Sequence, residues 1–331
     1  MKKATIITVA FLLAAAATIF FANRKKSEWI EEKRFQMATV TKIILPNVRG
    51  SRAALRDAFA AIDEVERAAS RFIPDSEINK LSDGKWHKLS PVLLPMWQKA
   101  EYFYVLSGGS FDPTAGNLIS LWGFGPEGVK KEPTEEELAE ALRLTGLNKV
   151  ETSNDFIRLP LGMSLDLNSL AAGYAADHAA QVLWKHGISD FLVDAGGEIV
   201  CSSKGKKIWD IGIKDPEGEN ETTVISISNG AVSTSGSYAN FFKSGSNSFT
   251  HIVDAKTGKA AKTSLLSVSV EAPTGIEADG MSTLLFILPP EEGKKLVGGE
   301  NGLPAMFIEE EEGKLKVTKD EAWLRMEKAG K

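Results

Sequence analysis

The sequence predicts a mixed α+β fold, built as a single domain over residues 30–331. Segments with apolar residues at helical spacing alternate along the chain with short strand-like runs. Helices intermixed with hairpins in this way are typical of α+β and mixed α/β domains. No long linker, repeat or low-complexity segment interrupts these residues. Because 43% of the 331 residues are hydrophobic, the chain has enough apolar side chains for one sizeable core.

Residues 1–23 lie outside this predicted domain. Lys2 and Lys3 precede an apolar run at residues 4–22, and further basic residues follow it. The run approaches the roughly 20 apolar residues that span a bilayer, so it is either a signal peptide or an N-terminal membrane anchor. Phe20 and Phe21 stand where a cleavage site needs small side chains. We therefore expect an anchor, with the domain outside the cytoplasm, and cleavage is the alternative.

The first half of the domain is predicted to contain one strand followed by helices. Residues 35–46 have the texture of a single strand. Apolar residues at helical spacing predict two helices, at residues 51–72 and 91–107. A capping box formed by Thr134 and Glu137 then predicts the start of another helix, which ends near Gly146.

The second half is predicted to be richer in strands. A long helix occupies residues 168–186, with Asn168 or Ser169 as its N-cap. Strand-like runs follow at residues 191–200, where a glycine bend divides two short strands, and at 209–215, 222–236, 248–254 and 264–273. A last helix is predicted from Thr274 to Leu288, with Thr274 and Glu277 as a second capping box.

Composition excludes several classes of site and partner. The net charge of −5 gives no reason to expect a nucleic acid partner. Cys201 is the only cysteine, which excludes an internal disulfide and a cysteine-rich metal site. With only four histidines, a His-rich zinc site is not expected either. Any metal is therefore predicted to be a hard cation held by oxygen atoms.

Two segments combine small residues with side chains that suit a ligand. In residues 110–125, Trp122 and Phe124 lie among glycines and either cradle a flat ligand or, as the stretch alone favours, fill the core. Asp166 is followed by a helix start that contains Ala172 and Gly173. Such small residues suit either an anion at the helix N-terminus or tight helix packing, and the sequence leaves both open.

Two further segments carry polar groups with chemical potential. Asp279 and Thr283 are four residues apart, hence on one helix face, where a carboxylate and a hydroxyl suit Mg²⁺ or Ca²⁺. The helix dipole is the alternative reason for an early aspartate. His251 precedes a turn marked by Asp254 and Gly258. Histidine changes charge near neutral pH, so His251 is either a catalytic base or a hydrogen-bonded histidine in a hairpin.

Taken together and in order, eight blocks of the chain resemble the ApbE family, the FAD:protein FMN transferases. They are FQMAT, SRFIPDSEINKLS, GGSFDPTAGNLISLWGFG, LDLNSLAAGYAAD, VDAGGEI, AVSTSGSYANFF, THIVDAKTGK and EADGMSTLLFIL. The blocks span about residues 35–290. Each is weakly specific alone, but their shared order is specific.

The resemblance implies an activity, a cofactor and partners. Members use Mg²⁺ to transfer FMN from FAD to a threonine or serine hydroxyl of a target flavoprotein, with release of AMP. Such a target is, for example, a subunit of a membrane redox complex. Members are commonly exported and anchored at the outer, periplasmic face of the cytoplasmic membrane, in agreement with the reading of residues 1–23. Two alternatives stay open: an FAD pyrophosphatase that gives FMN and AMP, for which the same metal and histidine would serve, and a non-catalytic FAD-binding protein.

The resemblance also assigns roles to individual residues. It assigns His251 as the base for the acceptor hydroxyl. It assigns Mg²⁺ to Asp279, Thr283 and the backbone carbonyl of Ser169. The positions matched to FAD contacts are Met37, Phe72, Ser110, Phe111, Asp112, Asp166, Ala172 and Val253. Two departures stand out: Ala38 replaces a common glycine, and Ala172 replaces a common lysine, which removes one charged contact to FAD.

Overall fold

The computed structural model describes residues 28–328 except 127, 206, 217, 219–220, 238–240, 245–246, 262–263 and 298–301. The predicted signal or anchor at residues 1–23 lies outside the described residues. Among the described residues, none of the helices combines the length and the apolar character that spanning a bilayer requires.

Strands and helices are intermixed along the described chain, with ten consecutive strands between the sixth and seventh helices. The strands are β1 (Trp29–Gln36), β2 (Thr39–Pro46), β3 (Trp86–Lys88), β4 (Glu151–Ser153), β5 (Phe156–Arg158), β6 (Phe191–Ala195), β7 (Ile199–Ser202), β8 (Trp209–Lys214), β9 (Glu221–Ile227), β10 (Gly230–Gly236), β11 (Phe241–Ser244), β12 (Asn247–Thr250), β13 (Val253–Asp254), β14 (Lys259–Ala260), β15 (Leu265–Ala272), β16 (Ala305–Glu311) and β17 (Lys314–Lys319). The helices are α1 (Ser51–Ala69), α2 (Glu77–Lys80), α3 (Leu93–Leu106), α4 (Gly116–Leu121), α5 (Glu135–Arg143), α6 (Asn168–Lys185), α7 (Gly275–Ile287), α8 (Pro290–Leu296) and α9 (Glu321–Met326).

An eight-stranded antiparallel sheet organises the fold, in the order β1-β2-β6-β7-β10-β15-β16-β17. Successive side chains of a strand point to opposite faces of a sheet, and β16 shows this clearly. Phe307 packs into the core shared with α1, α3, α6 and α7, whereas Met306 and Ile308 pack on the other face against β8, β9 and α9. The prediction of a mixed α+β fold is therefore confirmed.

A third apolar cluster joins the segments around β13 and β14 to α4 and α5. Leu118, Trp122 and Leu138 pack there against Phe249 and Val253. The indole Nε1 of Trp122 donates a hydrogen bond to the Gly258 carbonyl at 2.8 Å. The prediction that Trp122 fills the core is thus confirmed, and its hydrogen bond holds the turn that follows His251.

The prediction of one strand at residues 35–46 is wrong. The chain reverses at Met37 and Ala38, whose φ angles of 52° and 57° lie in the left-handed region, and Gln36 pairs directly with Thr39. Two-residue hairpin turns of this kind normally use Asn-Gly or a similar pair. Because Met and Ala are not typical turn residues, the local sequence does not predict the hairpin.

Residues 222–236 likewise form two strands instead of one. β9 pairs with β8 in a separate two-stranded sheet, and β10 enters the main sheet between β7 and β15. The break falls at Ser228 and Asn229, followed by Gly230 at a φ of 128°. The glycine therefore marks a change of sheet that strand propensity alone does not reveal.

The helix caps follow the predictions in one case of three. The capping box of α5 is confirmed: the Glu137 N–H donates to Thr134 Oγ1 at 3.2 Å, and the Thr134 N–H donates to Glu137 Oε2 at 2.9 Å. The Asn168 or Ser169 cap of α6 is wrong, because the preceding Asp166 accepts from the Asn168 N–H at 2.9 Å.

The capping box predicted for α7 is also wrong. The N–H groups of Gly275 and Ile276 donate to the two carboxylate oxygens of Asp177 at 2.7 and 2.9 Å. Glu277 pairs instead with Lys99 at 2.8 Å. The cap of α7 therefore comes from α6, and this contact fixes the two helices to each other.

Candidate active site

A cleft of about 390 Å³ lies at one end of the main sheet, beside the start of α6. At this end of the sheet, the β6–β7 turn and the last residues of β10 line the cleft. Sequence-distant segments meet in its walls. Of the residues to which the family resemblance assigns a role, those that line the cleft are Phe72, Phe111, Asp112, Asp166, Ser169, His251, Val253, Asp279 and Thr283. The cleft therefore has aromatic, acidic and hydroxyl-bearing walls and contains one histidine.

Three sequence-predicted residues lie elsewhere. Met37 occupies the hairpin turn and packs against the main core, Ala172 is half-buried on α6, and the Ser110 carbonyl accepts from the Ala255 N–H at 3.2 Å. None of the three is among the residues that line the cleft. Their assignment to FAD stays a prediction.

Asp279 is held in the cleft by a close crossing of α6 and α7. Its Oδ2 accepts a hydrogen bond from the Gly173 N–H at 2.9 Å. A Cβ at Gly173 would lie 2.2 Å from the Gly275 carbonyl oxygen and 2.7 Å from the Cβ of Asp279. The small residue at 173 therefore serves tight helix packing, and this packing places the carboxyl group.

Burial dominates the electrostatics of Asp279. Its side chain is almost inaccessible, and burial raises the pKa to about 7, against the lowering effect of the Gly173 hydrogen bond. The negative charge of Asp177 raises the pKa further. A cation beside this carboxylate would supply the charge partner that the buried group needs.

Glu198 is a cleft residue that the sequence reading did not select. It lies in the β6–β7 turn, directly after Gly196 and Gly197, whose φ angles are 87° and 111°. Burial, followed by the charge of Asp279, raises its pKa well above the ordinary glutamate value. The only local sign of this role is that Glu198 directly follows two turn glycines. Asp279, the charge that acts on it, is remote in the sequence.

Asp166 is fixed by an arginine that the sequence reading also missed. The Nη1 of Arg71 donates to Asp166 Oδ2 at 2.9 Å, and both side chains are buried. The Nη2 of Arg71 donates to the Gly116 carbonyl at 2.8 Å and to Ser120 Oγ at 2.6 Å. Because Asp166 also caps α6, this arginine joins three segments behind the wall of the cleft.

His251 lies between β12 and β13, at the aromatic side of the cleft. Its ring meets Phe124 edge to face, with ring centroids 6.1 Å apart and an interplanar angle of 65°. Lys130 Nζ lies 5.1 Å from the centroid of the same Phe124 ring. Phe124 therefore lines the cleft as well as the core, and its ring borders the imidazole.

The residues at the acidic end fit a magnesium ion. Thr283 lies one turn after Asp279 on α7, and its hydroxyl is 3.1 Å from Ser235 Oγ. With Ser169 in the same cleft, the set offers one carboxylate, one hydroxyl and a backbone carbonyl. Mg²⁺ is commonly held by one or two carboxylates while waters and substrate phosphates fill its other positions. Among the described residues, no cluster of three or more His, Cys, Asp or Glu side chains could hold a metal.

Comparison with known proteins agrees with this architecture. The model of the ApbE family matches residues 37–307. The FAD:protein FMN transferase of Klebsiella pneumoniae (strain 342) is 32% identical over 268 residues, which cover 77% of this chain and 76% of that protein. The FAD:protein FMN transferase of Escherichia coli (strain K12) is 31% identical over 299 residues, covering 83% and 82% of the two chains.

Solved structures show the same fold. The flavin transferase ApbE from Vibrio cholerae superposes with a TM-score of 0.81 at 25% identity, over 90% of this chain and 99% of that one. The ApbE protein from Thermotoga maritima gives a TM-score of 0.82 at 27% identity, over 91% and 100%. These matches also identify the protein as a transferase enzyme. The chain belongs to the ApbE family.

Proposed function

We propose that this protein transfers FMN from FAD to a threonine or serine hydroxyl of a target flavoprotein, in a Mg²⁺-dependent reaction that releases AMP. The observation that carries the proposal is the meeting of His251, Asp279 and Thr283 in one cleft, although they come from separate segments. The curated relatives described above carry the name FAD:protein FMN transferase, which supports FAD as the donor and a protein as the acceptor.

The aromatic region of the cleft would bind the flavin nucleotide, and its acidic region would bind Mg²⁺. Phe72, Phe111 and Val253 would contact the flavin nucleotide, as the family resemblance implies. At the acidic region, Asp279, Thr283 and the Ser169 carbonyl would hold Mg²⁺. When bound, this ion neutralises negative charge on the pyrophosphate, which phosphoryl transfer requires more than covalent help.

The chain's own groups would handle the proton and the orientation. The acceptor oxygen forms a bond to the FMN phosphorus of FAD, and the bond from that phosphorus to the bridging oxygen breaks. The bridging oxygen leaves with AMP, and His251 takes the proton of the acceptor hydroxyl. Such proton transfer contributes about 10²–10⁴-fold to the rate. Arg71 and Asp166 hold the start of α6 in place during these steps.

The same proposal includes a location. We infer that the enzyme is exported and held at the outer face of the cytoplasmic membrane, the periplasmic side, through residues 1–23. The basic and apolar pattern of these residues supports the inference. A target flavoprotein in a membrane redox complex would then lie on the same side of the bilayer.

The decisive experiment compares wild-type protein with His251→Ala. Each is incubated with FAD, Mg²⁺ and a candidate acceptor flavoprotein, and covalent flavin, free FMN and AMP are measured together. We expect His251→Ala to keep its thermal midpoint and FAD affinity while its transfer rate falls by about a hundredfold or more. Its residual rate should rise with pH as the acceptor hydroxyl ionises unaided.

A matched control is His186→Ala, because His186 is an exposed residue directly after the end of α6 and its Nε2 lies 3.0 Å from Asp57 Oδ2. This variant should transfer flavin normally. Free FMN with AMP but no labelled acceptor would mean hydrolysis, and unchanged FAD would mean binding alone. Normal transfer by His251→Ala would remove the histidine from the mechanism.

A further inference from the structure

A set of hydrogen-bonded hydroxyl groups lies between β10 and α7, next to Asp279. Ser233 and Ser235 are two residues apart on β10, so their side chains lie on the same face of the sheet. On that face they meet the hydroxyls of Ser282 and Thr283 from α7. These four residues are called the hydroxyl network below. Ser233 and Ser282 are buried, whereas Ser235 and Thr283 line the cleft. The network therefore reaches from the core to the wall of the cleft.

Short contacts between oxygen atoms link the hydroxyl network. Ser235 Oγ lies 2.9 Å from Ser282 Oγ and 3.1 Å from Thr283 Oγ1. Ser233 Oγ lies 3.3 Å from Ser282 Oγ. Ser282 Oγ is also 3.0 Å from the backbone carbonyl oxygen of Asp279. Each hydroxyl thus has the hydrogen-bond partner that burial requires.

The contact with the carbonyl determines the direction of every proton in the hydroxyl network. A carbonyl oxygen can only accept, so Ser282 donates its one proton to the carbonyl of Asp279. Ser282 Oγ must then accept from Ser235, which uses the one proton of Ser235. Ser235 Oγ can therefore only accept from Thr283, whose hydroxyl is the donor in that contact. It follows that the lone pairs of Thr283 stay free on the side of the cleft.

The direction of the Thr283 hydroxyl matters because a metal ion binds a hydroxyl group through a lone pair of its oxygen. Inside a helix, a threonine hydroxyl commonly bonds to a backbone carbonyl one turn earlier. Here the hydroxyl of Thr283 donates instead to Ser235 of the neighbouring strand. Partners that hold the proton of a metal ligand fix its orientation and strengthen metal binding. The contact with Ser235 therefore prepares Thr283 to bind a cation.

We propose that Ser235 is a positioning residue for Mg²⁺, because its Oγ accepts the proton of Thr283 and leaves the lone pairs of Thr283 for the ion. The inference rests on the proposed function, in which Asp279 and Thr283 hold Mg²⁺. The main sheet fixes Ser235 for this task, since its backbone pairs with Val268 of β15. A strand would thus set the orientation of a metal ligand that a helix carries.

The test measures two affinities of the full-length protein: that for Mg²⁺ in the presence of FAD, by calorimetric titration, and that for FAD in the absence of Mg²⁺. For Ser235→Ala, the Kd for Mg²⁺ should rise about tenfold or more, as is typical when a partner of a metal ligand is lost. The affinity for FAD without Mg²⁺ should stay unchanged. Ser235→Thr, which keeps the hydroxyl group, should restore most of the Mg²⁺ affinity.

The matched control is Ser233→Ala. Ser233 lies on the same face of the same strand and contacts the same Ser282, but its only side-chain partner in the described chain is Ser282, and it does not line the cleft. Its replacement removes one hydrogen bond from the hydroxyl network and should leave the Kd for Mg²⁺ unchanged. Equal weakening of Mg²⁺ binding by Ser233→Ala and Ser235→Ala would mean that the network acts only through packing, and it would overturn the inference.

A double variant separates an effect through Thr283 from a direct contact of Ser235 with the ion or the substrate. Ser235→Ala/Thr283→Ala should bind Mg²⁺ no more weakly than Thr283→Ala alone, because no ligand is left for Ser235 to orient. Losses that multiply, or weaker FAD binding without Mg²⁺, indicate a direct contact and overturn the inference, as does an unchanged Kd in Ser235→Ala. Unchanged Mg²⁺ binding by Thr283→Ala would instead reject the metal site of the proposed function, and this inference with it.

Discussion

The carboxyl group of Asp279 can bind either a proton or a metal ion, so a proton and Mg²⁺ would compete for it. Its pKa lies at about 7 because burial disfavours the charge. A protonated carboxyl group is a poor metal ligand, so Mg²⁺ affinity should rise with pH through this range and fall about tenfold per unit below it. Calorimetric titration with Mg²⁺ in the presence of FAD, at pH 6 and pH 8, measures the effect.

The variants at this site sharpen the prediction. Asp279→Ala should abolish Mg²⁺-dependent turnover of FAD with the fold intact, and Thr283→Ala should lose less, because a hydroxyl contributes less charge than a carboxylate. Full activity of Asp279→Ala in saturating Mg²⁺ would show that the metal is held elsewhere.

We predict that the main effect of replacing Arg71 is a lower free energy of unfolding. Replacing it with methionine leaves the buried carboxylate of Asp166 without its cation, a loss that typically costs about 3–5 kcal/mol of unfolding free energy. Urea denaturation measures this directly. The double variant Arg71→Met/Asp166→Asn should recover part of the loss, because no uncompensated charge remains buried.

An exposed arginine provides the control for that measurement. Arg143 pairs with Glu140 at 3.1 Å, but their side chains are 76% and 73% exposed. Arg143→Met should therefore change the unfolding free energy by less than about 1 kcal/mol. Equal losses at both positions would mean that burial of the Arg71 pair is energetically unimportant.

The contrast between Asp279 and Arg71 explains which site residues could be predicted. Asp279 and Thr283 share a helix face, so their spacing alone predicts that they lie together. Arg71 and Asp166 are 95 residues apart, and Glu198 reaches the cleft through a glycine turn. Local spacing contains no information about such partners, which depend on how distant segments pack.

Among the secondary-structure elements, the crossing of α6 and α7 is the most sensitive to side-chain size. In an isolated helix, Gly173→Ala would be stabilising by about 1 kcal/mol. Here the new methyl group would overlap the backbone of Gly275, which cannot move without separating the helices. We expect a lower thermal midpoint together with weaker Mg²⁺ binding, because Asp279 depends on the Gly173 N–H.

The comparison variant for this crossing is Gly293→Ala in α8. A Cβ at Gly293 would meet Leu285 at 3.4 Å, an ordinary contact, and its φ is not positive. This change should leave the thermal midpoint unchanged or raise it. If Gly173→Ala were tolerated equally well, the close packing of α6 and α7 would not be needed.

A comparison of α5 with α7 shows why some helix starts were predicted correctly and others were not. Thr134 and Glu137 cap α5 from within its own first turn, so the sequence pattern is sufficient. The start of α7 is capped by Asp177 of another helix. Thr274 and Glu277 therefore present a convincing local pattern that the tertiary contact replaces.

For the whole molecule, the leading question is where the enzyme resides. We predict that the mature protein fractionates with membranes and faces outward, because residues 4–22 form an apolar run without an obvious cleavage site. Cell fractionation with N-terminal sequencing from the native host decides the matter. A soluble product beginning near residue 23 would show that the run is a cleaved signal.

The order of strands in the main sheet has a consequence for the folding pathway. Ile44 of β2 pairs with Leu192 of β6, so the N-terminal hairpin acquires its neighbour only after more than half of the chain has been made. Long loop closures of this kind raise the entropic barrier to folding and slow it. During synthesis or passage through a translocon, one edge of β2 would stay without hydrogen-bond partners until β6 is available. Such an unpaired edge can pair with strands of other chains, which leads to aggregation. Holding that edge until β6 arrives is a task for which a chaperone would be suited.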